Sequence, residues 1–209
     1  MNTEQEESWK DNQSKNNKAS NSFFKELLNI LFSVVVAYLL FLLIRAYLFF
    51  PFQVVGPSMY PTLQDGDRLI LNRLGQLDRF DVVVFPAPDA ESSENNEEYV
   101  KRIIGVPGDE ISYQDDELYI DGEVVEEKYL ETLKEDQENS LLTPDFTLLD
   151  VPGSESLVVP EGMYLVLGDN REVSKDSRMF GLVPEEVIEG TTSLRIWPLN
   201  RIGFLEKNE

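Results

Sequence analysis

Residues 117–126 read Glu-Leu-Tyr-Ile-Asp-Gly-Glu-Val-Val-Glu. Two short runs rich in β-formers flank Asp121-Gly122, a dipeptide suited to the positive φ values of a two-residue hairpin turn. The stretch therefore reads as two antiparallel strands. Working outward, the same texture recurs from Phe52 onward: RLIL at 68–71, DVVVF at 81–85, YVKRIIG at 99–105, MYLVLG at 163–168 and SLRIW at 193–197, with Gly, Pro or Asp between them. No helical pattern recurs between these runs, which argues against parallel βαβ units. The expectation is a mainly β domain over residues 49–209, an antiparallel sandwich or partly closed barrel. Residues 128–156 are more polar and less periodic, with an acidic ETLKEDQENS at 131–140 and then Thr143-Pro144 and Pro152-Gly153. They read as a long surface excursion with room for one short helix.

Upstream of the β pattern, Leu27 to Ile44 contains no charged residue over 18 positions, and the apolar character continues past Arg45 to Phe50. A bilayer core takes roughly 20 apolar residues as helix. The run has no polar face, unlike a helix packed on a soluble core. It is also too long for the apolar part of a cleaved leader, and it ends in Phe49-Phe50-Pro51 rather than at small residues. Residues 27–48 are therefore expected to be an uncleaved membrane anchor. Lys10, Lys15, Lys18 and Lys25 precede it and only Arg45 lies close behind. That asymmetry puts a polar tail, residues 1–26, in the cytoplasm and residues 49–209 outside. Arg45 is expected to snorkel to the outer interface.

Composition prunes the chemistry. The chain has 0 His and 0 Cys, so no Ser-His-Asp triad, no Cys-His pair and no disulfide can form. Acid–base chemistry near neutrality must come from a shifted Asp, Glu, Lys or Tyr. The net charge is −21. Residues up to Arg45 hold five basic and five acidic groups, so the remainder carries all of it. An acidic domain of this kind argues against nucleic acid as a partner, because phosphate contacts need Lys and Arg.

Three segments are candidates for chemistry. Gly56-Pro57-Ser58-Met59-Tyr60-Pro61-Thr62-Leu63 holds a Ser between two prolines, which stiffen the chain and fix where Ser58 points. By itself it is better read as a Pro-rich turn with an incidental Ser. In Tyr99-Val100-Lys101-Arg102-Ile103, strand alternation puts Tyr99, Lys101 and Ile103 on one face. A free Lys titrates at about 10.4 and is no base at neutral pH, but desolvation disfavours its ammonium form. By itself, a surface Lys on an edge strand is the better reading. The third segment, residues 168–181, follows an apolar strand and is dense in polar groups: Asp169, Asn170, Arg171, Ser174, Asp176, Ser177 and Arg178. Arg171 and Arg178 beside Asp169 and Asp176 favour ion pairs over a metal site. No metal or other cofactor is expected. A fourth match, Ser22-Phe23-Phe24-Lys25, has S-x-x-K spacing but lies in the tail and lacks the companion motifs, so it is set aside.

Taken together, these segments resemble bacterial type I signal peptidases of peptidase family S26. The resemblance spans about Arg45 to Trp197 and rests on five boxes in family order: Ser58-Met59-Tyr60-Pro61-Thr62-Leu63, GDRLIL, DRFDVVVF, YVKRIIGVPGD and GDNREVSKDSRMFG. It implies a membrane-bound serine endopeptidase that removes signal peptides from secreted preproteins after a small-x-small motif, through an acyl-enzyme. It further implies Ser58 as nucleophile, Lys101 as general base and Ser174 as the group orienting the Lys101 amine. Arg102, Asp169, Asp176 and Arg178 are implied to be structural ion pairs. Met59 and Tyr99 should border the pocket for the residue before the cut, and Phe52 and Val54 the neighbouring one, with Val55, Leu63 and Val100 also against substrate. The implied location is the plasma membrane, in contact with lipid, with the site near the outer leaflet.

The sequence departs from the family pattern at two places. Gly56 stands where some members carry a Ser whose hydroxyl serves the oxyanion hole, and Pro57 has no N–H, leaving the Ser58 N–H and the Gly56 backbone as candidate donors. Phe80 replaces a usual Gly. Gly56-Pro57, the single span and the short interval between the Lys and last boxes are closer to Gram-positive members. The acidic charge should raise a Lys pKa, so burial, with Arg102, must outweigh it if Lys101 is the base. Two rivals are disfavoured. A soluble self-cleaving repressor lacks the span, and a non-catalytic binding module has no need of Ser58, Lys101 and Ser174 together.

Overall fold

The computed structural model describes residues 25–42, 50–88, 97–136 and 141–205. Residues 1–24 of the tail, with Ser22 to Phe24 among them, and Arg45 lie outside the described residues, whereas Lys25 and Glu26 open the first helix. The chain divides into two units, residues 1–47 and 48–209. In the first, helix α1 (Lys25–Leu42) is long and apolar enough to cross a membrane, and its side chains are exposed.

Among the described residues of the second unit, the strands are, in chain order, β1 (Phe50–Gln53), β2 (Arg68–Asn72), β3 (Val82–Pro86), β4 (Glu98–Gly105), β5 (Ile111–Gln114), β6 (Glu117–Ile120), β7 (Glu123–Val125), β8 (Phe146–Thr147), β9 (Met163–Leu167), β10 (Val183–Pro184), β11 (Gly190–Trp197) and β12 (Gly203–Phe204). They form two antiparallel sheets. The larger runs β1-β2-β11-β3-β4-β9-β10, with β12 paired to β11, and the smaller runs β7-β6-β5-β8. The β6–β7 hairpin turns at Asp121 and Gly122, with φ of 53° and 81°, and Ile120 faces Glu123. Asp tolerates the first of these values and Gly takes the second without strain, so the local sequence suffices for this turn.

Two strands at the centre of the large sheet position the site. In β3, Val82, Val83, Val84 and Phe85 are all buried, as an interior strand covered on both faces requires. Its neighbour β4 pairs with β3 on one side and β9 on the other, so Lys101 and Arg102 sit deep inside the sheet. Phe80, just before β3, has φ of 68°, a conformation that Gly would adopt without strain. Its backbone carbonyl accepts a hydrogen bond from Arg102 Nη1 at 2.9 Å.

The described residues of 128–156 do not form a surface excursion. Tyr129, Leu130, Leu142, Phe146, Leu148 and Val151 are buried in the cluster that also contains Ile104, Ile111, Leu118 and Leu165. The segment supplies the short helix α2 (Glu131–Asp136) and strand β8, which pairs with β5. Burying each such aliphatic side chain contributes roughly 1.5–3 kcal/mol. Their spacing follows neither a helical nor a strand period, because 3-10 turns at Lys128–Leu130 and Leu148–Asp150 separate the regular pieces.

Candidate active site

Ser58 lies in the turn after β1. The turn is tied down by backbone bonds from Val54 N–H to Asp67 O, Gly66 N–H to Val54 O and Leu63 N–H to Met59 O. Met59 and Leu63, 1% and 0% exposed, anchor it in a cluster with Val54, Leu69, Leu71, Val82 and Val84. Both pack into the core, and neither is among the residues that line the cleft described below. An apolar side chain following a nucleophile has the same composition whether it meets substrate or core.

The base candidate arrives from the interior of the sheet. Lys101, 3% exposed, pairs across to Val83 and donates from Nζ to Ser58 Oγ at 2.9 Å and to Val100 O at 3.0 Å. The Tyr99 ring centre lies 5.0 Å from Nζ, so the two share a face as strand alternation required. Burial pushes the Lys101 amine down to about 8, against the opposing pull of Asp176 and Asp169. Arg102 is itself neutralised: its Nε and Nη2 hold Asp169 at 2.9 and 2.7 Å. Thr62 Oγ1 also donates to Asp169, at 2.5 Å. Asp176 is neutralised by Arg178 at 2.8 Å and accepts from the Gly168 N–H at 3.0 Å. With both carboxylates occupied by partners, desolvation wins over the acidic field.

The third segment closes behind the dyad. Asn170 N–H donates to Ser58 O at 3.0 Å, and Asn170 Nδ2 donates to Pro57 O at 3.2 Å. Ser174 is buried close to Gly168, where an added Cβ would collide with the Ser174 side chain and come within 2.5 Å of Ser58 O. The Ser174 hydroxyl makes no hydrogen bond among the described residues, so the expected contact to the Lys101 amine is not formed. Gly56 N–H donates to Asp65 Oδ1 at 2.9 Å and is engaged, which removes it as an open oxyanion donor. Arg171 pairs with Glu127, not with Asp169 or Asp176.

Ser58 and Lys101 open onto a cleft of about 520 Å³. Phe52, Val54, Val55 and Gly56 line it from one segment and Tyr99 and Val100 from β4. Glu97, Glu98, Val173 and Lys175 also line it and carry no motif that singles them out. A second cavity, about 560 Å³, lies against Leu148, Met163 and Phe180, but no lysine lines it to act as a base. A hydroxyl hydrogen-bonded to a desolvated amine inside an elongated cleft can perform nucleophilic attack on an extended peptide.

The family model for signal peptidases, peptidase S26, matches residues 27–197. The chain belongs to the signal peptidase family. A signal peptidase IB of Staphylococcus aureus is 41% identical over 186 residues, covering 86% of this chain and 94% of the relative. A signal peptidase I of Bacillus caldolyticus is 44% identical over 165 residues, covering 77% and 86%. A crystal structure of a signal peptidase I from Enterococcus faecalis superposes with a TM-score of 0.50 at 45% identity, covering 56% of this chain and 97% of that one. The two antiparallel sheets are thus the signal peptidase fold, and the chain is a serine peptidase of family S26 with one N-terminal apolar helix.

Proposed function

We propose that this signal peptidase removes signal peptides with Ser58 as nucleophile and Lys101 as general base. The observation that carries the assignment is the 2.9 Å contact between Lys101 Nζ and Ser58 Oγ inside a cleft that can admit a peptide. The neutral Lys101 amine takes the Ser58 hydroxyl proton as Oγ attacks the scissile carbonyl. Negative charge develops on the carbonyl oxygen and is met by the Ser58 backbone N–H. Lys101, now an ammonium, gives its proton to the departing amine, and the acyl-enzyme remains. Lys101 then draws a proton from water as the water oxygen attacks the ester, and returns that proton to Ser58 Oγ as the C–Oγ bond breaks and the acid product leaves. Ser174 is the group assigned to orient the Lys101 amine, although its hydroxyl makes no hydrogen bond among the described residues.

Phe52, Val54, Val55, Tyr99 and Val100 take the residues before the cut, which run extended along the cleft and are limited to small side chains after the pattern small-x-small. The substrates are secreted preproteins. Residues 1–26 form a cytoplasmic tail, residues 27–48 a single anchor in the plasma membrane lipid, and residues 49–209 an extracytoplasmic catalytic domain; the lysines before the anchor support this orientation.

The test is cleavage of a preprotein by the full chain in detergent. Ser58→Ala and Lys101→Met are expected to abolish it, and normal processing by either variant rejects the dyad. Protease accessibility in sealed cells reads the topology: digestion of the tail from outside rejects it.

A further inference from the structure

A buried ion pair lies behind the dyad and belongs to none of its motifs as a pair. Glu127, just after β7, is 4% exposed and Arg171 is 2% exposed. The Glu127 carboxylate accepts from Arg171, from Tyr113 OH at 2.9 Å and from Tyr129 OH at 2.6 Å. These donors, with the guanidinium charge first among the stabilising causes, hold its carboxyl below the usual range despite burial. Every nitrogen of Arg171 is engaged: Nε donates to Gly168 O at 3.1 Å and Nη1 to Thr143 Oγ1 at 2.9 Å, while Nη2 holds Glu127.

Two lines of contact lead from this pair to the reacting groups. The first runs from Arg171 to the Gly168 carbonyl and along the backbone to Asn170, whose N–H holds Ser58 O. The second runs through Tyr129, whose ring centre lies 3.9 Å from the Arg102 guanidinium carbon. Arg102 follows Lys101 in β4 and ties Asp169 to that strand. A buried ion pair is a poor device for stability alone, because well-packed apolar residues often do as well. Its advantage is direction, since a forked guanidinium held by a fixed carboxylate fixes the Gly168 carbonyl in angle as well as distance.

We propose that Glu127 is a positioning residue for the Ser58–Lys101 pair, holding the segment behind the nucleophile and the strand of the base in register. The proposal rests on the dyad assignment above. Misplacing reacting groups by about 1 Å can cost on the order of 100-fold in rate. Glu127→Gln is therefore expected to lower kcat at least about tenfold with KM within about twofold. Its pH–rate midpoint should move upward, because a displaced Lys101 is less sealed from water. A purely structural role lowers thermal stability and leaves kcat and the midpoint of the folded enzyme unmoved, and that result overturns the proposal.

If Glu127→Gln does not fold, Glu127→Gln with Arg171→Met removes both charges, and a folded double variant with wild-type kcat and midpoint overturns it equally. If neither folds, Tyr129→Phe deletes one donor to Glu127 and keeps the ring on Arg102. A kcat loss of about threefold or more supports the proposal and wild-type kcat overturns it. Ser58→Ala, run in parallel, separates the two readings. A dead Ser58→Ala beside a wild-type-like Glu127→Gln rejects positioning alone, whereas an active Ser58→Ala rejects the dyad.

Discussion

Replacing Lys101 by Met removes the amine and also removes a pH-dependent cost of folding. In the unfolded chain the amine loses its proton near 10.5, and in the folded chain burial brings that down to about 8. Below pH 8 the amine is protonated in both states, and the cost of burying an ammonium is fully present. Between pH 8 and 10.5 the unfolded chain binds the extra proton, so the stability of the wild type rises with pH. The gap of about 2.5 pH units corresponds to about 3 kcal/mol. Met carries no proton. The stability of wild type minus that of Lys101→Met should therefore rise by about 3 kcal/mol from pH 7.5 to pH 10.5. Tyr113 and Tyr129, which burial pushes well above the ordinary tyrosine range, titrate alike in both chains and cancel in the difference. The assay is urea unfolding of both full-length chains in non-ionic detergent across this range. A difference that stays flat to within about 0.5 kcal/mol means that the amine titrates as an ordinary Lys, and it refutes the desolvated base.

Three further outcomes follow from the same geometry. With the amine at about 8, its neutral fraction rises from about one tenth at pH 7 to about nine tenths at pH 9, so kcat/KM for a preprotein should rise about tenfold and then level. Asp169→Asn leaves the buried Arg102 without its counter-charge and should destabilise the domain by about 3–5 kcal/mol, read as a fall in urea midpoint. Gly168→Ala places a methyl group against Ser174 and the Ser58 carbonyl, so cleavage should be lost or the melting temperature sharply lowered, and a fully active, equally stable variant contradicts the packing described.

Much of the architecture is legible because it is local. The Asp121-Gly122 turn contains its own conformational instruction, and the unbroken apolar run Val82–Phe85 declares a strand covered on both faces. The anchor is legible for the same reason, since length and absence of charge are properties of one segment. Residues 128–156 were not legible. Tyr129, Leu130, Leu142, Phe146, Leu148 and Val151 reach one cluster through turns that impose no period on the sequence. That Met59 and Leu63 pack into the core is not legible either, because their composition does not say which way the turn after β1 rotates them.

The candidate site divides along the same line. The sequence by itself determined that no His or Cys chemistry is available, and its ordered boxes pointed to Ser58, Lys101 and Ser174. Only the tertiary structure decided that β4 is an interior strand, which buries Lys101 and brings its amine 2.9 Å from a hydroxyl 43 positions away. It also engaged the Gly56 N–H with Asp65 and joined Glu127 to Arg171 across 44 positions. The physical reason is that burial and hydrogen-bond partnership are made by neighbours from distant segments. A charged side chain has the same formula in water and inside the sheet, and its environment alone sets its proton affinity and its role.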